Sequence, residues 1–240
     1  MAERLTVAVA FSGQLRTFAE NHSALLRMFS EAAGEGAEIR IFGALHAADL
    51  HQGAQFPWHA VEFLQMPLPP GRWREIALKY PAKSGDIVRA AREQWQGLLA
   101  AGRMVRAWER ERSRRFDWVV RCRPDLAVVE PMEPLASLDP ARCYFPRHNN
   151  WNGLNDRFAF GPSLLMQQYF AYPAHLAEFY LPSSTRPKLG CEHALAWHLA
   201  NERVPIARTR AVLQPRREGG VIDPPVYRAD RGDIPAEVIA

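Results

Sequence analysis

The sequence predicts an α/β fold, one domain built on a mostly parallel central sheet flanked by helices. Three observations predict it. Residues 5–11 form a compact, β-branched apolar run that stops abruptly at Ser12-Gly13-Gln14, as a buried parallel strand does where it enters a loop. Residues 17–33 carry Phe18, Leu25, Leu26, Met28 and Phe29 at helical spacing and meet a stop at Gly34-Glu35-Gly36. Residues 38–45 then resume as a second apolar strand, and a strand–helix–strand unit of this kind favours parallel pairing with a right-handed crossover.

The remaining elements follow in chain order. Residues 46–83 hold five of the nineteen prolines with Trp58 and Trp73 and show no sustained period, so they read as an irregular excursion, a lid or a specificity loop. Ser84 or Asp86 can cap a long helix in which Ile87, Ala91, Trp95, Leu98, Val105 and Trp108 step by three or four. Its far end, 106–115, is a charge run that reads as a solvated helix face with pairs such as Glu109 with Ser113 and Glu111 with Arg115. Residues 116–126 read as a strand with a core-like Trp118-Val119-Val120 and polar Arg121, Arg123 and Asp125, ended by Pro124. Cys143-Tyr144-Phe145 and residues 157–160 suggest two more strands around the polar loop 148–153. Helical spacing recurs over 162–180 and 191–203, and 204–213 can supply a last strand. The tail after Gln214, rich in arginine, glycine and proline, reads as loose or ordered only by ligand.

The whole chain, 1–240, reads as one domain, because 240 residues at 48% hydrophobic content can bury one substantial core. Thirty basic residues against 26 acidic ones give a net charge of +4 and a pI near 9.2 with the signs mixed along the chain, which argues against a nucleic-acid partner. The same mild excess suits an anionic small substrate such as a nucleotide diphosphate. Cys122, Cys143 and Cys191 are widely spaced with no CxxC, so neither a disulfide framework nor a zinc site is expected, and the compartment is read as reducing. The first apolar run is too short for a signal-peptide core or a membrane span, which leads us to expect a cytoplasmic protein with no transmembrane segment.

Candidate chemistry gathers after the strands. Alternate side chains of an extended strand share a face, so Arg121, Arg123 and Asp125 are expected together at the carboxyl edge, where open α/β sheets place ligands. A carboxylate there can hold a divalent ion bridging two phosphates, and a guanidinium can neutralise a diphosphate; an internal Arg–Asp ion pair is the competing reading. The loop Ser12-Gly13-Gln14-Leu15-Arg16 offers a glycine, side-chain donors and a cation ahead of a helix, an arrangement that favours anions, although a plain turn reads equally well. Neither GxxxxGK[ST] nor GxGxxG is present. Asp156 can bind a sugar hydroxyl, position an acceptor, or simply bond turn amides. Glu192, at a helix start beside His193, can act as a general base or merely suit the helix dipole. Cys191 has no second feature of a thiol enzyme, and His46, His51 and His59 lack metal-ligand spacing.

Taken in order, AVAFSGQLRTF at 8–18, WVVRCRPDL at 118–126, GLNDRFAFG at 153–161 and CEHALAWHL at 191–199 resemble glycosyltransferase-like proteins of bacterial surface-polysaccharide (lipopolysaccharide or capsule) loci. The resemblance implies a single Rossmann-like domain of the GT-A type and a transferase that moves a sugar from a nucleotide-diphosphate donor to a hydroxyl of a glycan or other acceptor. It places Ser12, Gly13, Gln14, Arg16, Arg121 and Arg123 at the donor and Asp125 where the DXD motif binds a divalent cation, manganese or magnesium. Asp156 borders the acceptor, and Glu192 occupies the catalytic position. The motif here reads Arg123-Pro124-Asp125, with one of its two carboxylates missing, so Arg123 is an alternative source of positive charge. Two other readings stay open: a catalytically silent nucleotide- or glycan-binding module, and a nucleotidyltransferase, whose Gly-rich, lysine-bearing first loop is not visible here.

Overall fold

The computed structural model describes residues 4–64, 75, 76, 79, 85–182 and 190–227, and over 85–92 the backbone only. Its strands are β1 (Thr6–Gly13), β2 (Glu38–His46), β3 (Ala60–Leu64), β4 (Trp118–Cys122), β5 (Leu126–Glu130), β6 (Cys143–Pro146), β7 (Phe158–Gly161), β8 (Ile206–Thr209) and β9 (Val212–Pro215). Seven of them make one sheet in the order β3-β2-β1-β4-β7-β6-β8, while β5 and β9 pair separately. Pairing is parallel from β3 through β4 and again between β6 and β8; β7 runs antiparallel to both of its neighbours.

The apolar run of β1 is continuous because both of its faces are covered. Val7, Val9 and Phe11 pack with Leu25, Met28 and Phe29 of α1 (Phe18–Ala33), while Ala8 and Ala10 face Trp95, Leu98, Ala101 and Val105 of α3 (Gly85–Arg112). The second face is completed by Met166, Tyr169 and Phe170 of α4 (Ser163–Ala171) and by Leu195 and Leu199 of α6 (Cys191–Asn201). Each large apolar side chain so buried stabilises the fold by roughly 1.5–3 kcal/mol before entropy is counted. The predicted α/β class with a mostly parallel, helix-flanked sheet is therefore the observed one.

Several elements depart from the sequence reading. Segment 46–83 is not wholly irregular: a 3-10 turn (Ala47–Asp49), α2 (Leu50–Gly53) and β3 precede residue 65, and β3 extends the sheet beside β2. Trp58 stacks on Phe18 and meets Phe56, which ties this segment to the core. Most of 65–83, and Ser84, lie outside the described residues. The run 116–126 is two strands, because Pro124 and Asp125 form a turn and Leu126 opens β5 against β9. Segment 204–213 likewise divides between β8 and β9. Within 162–180 the helix breaks at a 3-10 turn (Tyr172–His175), with Pro173 in its first turn, before α5 (Leu176–Tyr180).

Two readings of polar segments change. Glu109 is no solvated partner of Ser113; it is buried, and its carboxylate accepts from Phe116 N (3.0 Å), Ser163 Oγ (2.5 Å) and Gln167 Nε2 (3.3 Å). The tail as far as residue 227 is tied down by the protein itself. Arg217 grips Asp223 at 2.5 Å, Asn149 N donates to Val226 O at 2.8 Å, and Val226 N donates back to Asn149 Oδ1 at 3.1 Å. Residues 228–240 lie outside the described residues, among which no helix is long and apolar enough to cross a membrane.

Candidate functional site

Chain connections leave β1 toward β2 on one side and reach β4 on the other, and open sheets hold ligands at such a reversal. A cavity of about 310 Å³ lies there, at the carboxyl edge. Ser12, Gly13, Gln14, Arg16, Arg121, Arg123 and Asp125 all line it, so the structure brings seven of the nine sequence-predicted site residues to one cavity. His46, Gln94, Arg157 and Arg217 line it as well. None of these four was assigned a role from sequence. Arg157 adjoins Asp156 and stood within a resembling block, but Arg217 reaches the cavity only through the folded tail and leaves no short-range signal.

The β1 loop is shaped by its backbone. Gly13 adopts φ +132, a conformation L side chains rarely take, and an added Cβ would stand 3.4 Å from Pro124 Cδ. Leu15 N donates to Asp49 Oδ2 at 2.9 Å, Arg16 Nε donates to Gln14 Oε1 at 2.7 Å, and Arg16 Nη1 lies 4.0 Å from Asp125 Oδ2. The residue after Gly13 in the motif thus braces the cation two places on.

Arg121 alone of the three polar residues belongs to a strand; Arg123 and Asp125 arrive from the turn that follows, not by strand alternation. Arg121 is fully buried, with Ala10 and Ala159 as its register neighbours on the adjoining strands, whose small side chains leave room for the guanidinium. Its Nη1 donates to the Arg157 carbonyl, whereas among the described residues Nε and Nη2 have no hydrogen-bond partner, and the buried Ser12 Oγ has none either. Arg123 holds Asp125 with both prongs, Nε to Oδ1 at 2.9 Å and Nη2 to Oδ2 at 2.5 Å. Burial works against the Asp125 charge, but Arg123 overrides it and keeps the carboxyl below the usual range. The Arg–Asp ion pair, the competing reading from sequence, is formed, and it stands on the lining of the cavity.

Asp156 and Glu192 are not lining residues. Asp156 is buried and accepts from Gln94 Nε2 at 2.5 Å, so the pair is joined to the wall through one side chain. Gly153 docks their two segments: a Cβ there would stand 2.2 Å from the Glu192 backbone, and Leu154 N donates to Glu192 O at 3.1 Å. Burial first, and Asp156 second, push the Glu192 carboxyl up to about 8. Burial and the same carboxylates push the Cys191 thiol well up, which suits no nucleophile. Burial and then the neighbouring Arg123 hold the Arg157 guanidinium below its ordinary value.

A divalent cation at Asp125 does not fit these residues. Cations of this kind take several oxygen ligands, yet both Asp125 oxygens are engaged by Arg123, and no group of three or more His, Cys, Asp or Glu among the described residues could hold a metal. Five arginines and two carboxylates, Glu93 and Asp125, line the cavity, an excess of cations of the kind that suits an anion.

A family described as a domain of unknown function (DUF7796) matches residues 96–213, a span that contains Arg121, Arg123, Asp125, Asp156, Arg157 and Glu192. No curated protein matches the chain. Among solved structures, the chain is similar to a glycosyltransferase involved in the glycosylation of the major capsid of PBCV-1, at 9% identity and a TM-score of 0.37, covering 86% of this chain and 81% of that one. It is similar too to a Bacillus anthracis protein described as a glucose-1-phosphate thymidylyltransferase, solved with sucrose, at 9% identity and a TM-score of 0.37, covering 89% of each chain.

Proposed function

We propose that the chain is a glycosyltransferase of GT-A type that moves a sugar from a nucleotide-diphosphate donor to a hydroxyl of a glycan or other acceptor, in surface-polysaccharide synthesis. One observation carries the reading: the β1 loop and the β4 turn, far apart in sequence, meet on a single arginine-rich cavity at the sheet's carboxyl edge. The resemblance gave both segments to the donor. In transfer the anomeric carbon leaves the diphosphate oxygen and bonds the acceptor oxygen, while the acceptor proton goes to a base. Glu192 is that base, with Asp156 raising its proton affinity. The charge left on the departing diphosphate falls to Arg123, Arg121 and Arg16.

The test is release of nucleoside diphosphate from a panel of nucleotide sugars. Wild type should release it, faster with acceptor, and Glu192→Gln should slow release by roughly a hundredfold or more, the usual worth of a general base. Wild-type rates retained by both Glu192→Gln and Asp156→Asn would remove the assigned roles. A second reading, a binding module without turnover, draws on the position of Asp156 and Glu192 outside the lining. Binding without release, under every donor and acceptor tried, is its signature.

A further inference from the structure

Resting on that reading of the cavity, we infer that the chain binds the donor's diphosphate with guanidinium groups in place of a divalent cation, and that Arg121 and Ser12 form the seat of one phosphate.

A guanidinium stays charged at every accessible pH, and charges taken out of water are ordinarily paired. Arg121 breaks that pattern: it is wholly buried, yet its Nε and Nη2 lack partners among the described residues. Those are the same two atoms with which Arg123 clasps both oxygens of Asp125, the edge that meets an oxyanion in two parallel hydrogen bonds. The nearby Asp125 does not supply the missing acceptor: its oxygens accept from Arg123, and neither accepts from Arg121.

A second orphan stands beside the first. Ser12 lies two residues beyond Ala10 on the same face of β1, and Ala10 is the register partner of Arg121, so hydroxyl and guanidinium edge share one wall of the cavity. Ser12 Oγ is buried and has no partner among the described residues. Two donors lacking acceptors on one wall call for an acceptor-only ligand, which a phosphate group is. Arg157, half-buried beside Arg123 and disfavoured as a charge there, gains from the same anion.

Titration calorimetry with inorganic pyrophosphate and with uridine diphosphate, in excess chelator and again with manganese, tests this. We expect both ligands to bind in chelator, with affinities that manganese changes less than about threefold, and to weaken as salt rises. Arg121→Lys keeps a charge but loses the two-pronged edge, and should weaken pyrophosphate by roughly tenfold. Ser12→Ala, a small change that spares the fold, should weaken it about three- to tenfold. Binding that appears only with manganese, or that ignores both substitutions, overturns the inference. Metal-dependent sugar release would overturn it and leave the transferase standing; pyrophosphate binding in chelator without any sugar release would uphold it and remove the transferase.

Discussion

Gln94 Nε2 and Asp156 Oδ2 are joined by a hydrogen bond of 2.5 Å, which couples a cavity-lining amide on α3 to the carboxylate that raises Glu192. The bond makes the cavity and the carboxylate pair one connected unit. Gln94→Ala should therefore lower transfer more than donor affinity. Comparing kcat with donor Kd in the variant checks it, and equal losses in both would speak against the coupling.

Glu192 sets a pH dependence. Its folded carboxyl holds a proton up to about 8, against an ordinary value of 4.5, so across that window the folded chain binds more protons than the unfolded one and stability falls as pH rises. If Glu192 is the base, turnover rises over the same range. Thermal denaturation and turnover followed across pH should show opposed slopes, and Glu192→Gln should flatten the first and remove the second.

Asp125 acts at the other end of the scale. Its folded value lies below the ordinary 3.8, so its contribution is present above that pH and is lost as pH falls through the folded value. Removing one partner of a buried pair leaves the other charge stranded, so Asp125→Asn should cost about 3–5 kcal/mol near neutral pH. Chemical denaturation of the variant measures this directly.

Glu109 provides a control far from the cavity in function. It accepts from Phe116 N, Ser163 Oγ and Gln167 Nε2, and Glu109→Ala strands those donors at a cost of about 2–4 kcal/mol. Nucleotide affinity in the folded variant should match wild type; a large loss of affinity would connect this end of α3 to the site.

Gly13→Ala forces a Cβ into a backbone conformation at φ +132, and should cost roughly 1–3 kcal/mol or shift the turn against Pro124. Either way pyrophosphate should bind more weakly, which titration reads.

The sequence made the buried elements legible. β1, β2 and α1 announce themselves because covering both faces of a strand demands an unbroken apolar run, and covering a helix on one face demands its period. β3 was hidden because, as an edge strand, it buries none of its residues fully, Val61 least of all, and sits in a proline-rich context. The split at Pro124 was read as a strand end, but the partner that turns Leu126 into a new strand is β9, some ninety residues away. Of the site, the residues after strands could be placed at the carboxyl edge by topology alone. The orphaned edge of Arg121 could not, since it depends on Ala10 and Ala159 from two other strands.

A crystal structure of the protein soaked with uridine diphosphate bears most directly on the cavity's identity. We expect a phosphate within hydrogen-bond reach of Arg121 Nε and Nη2 and of Ser12 Oγ, with the second phosphate among Arg16, Arg123 and Arg157. Nucleotide density elsewhere on the molecule, with those three atoms still bare, would contradict the account.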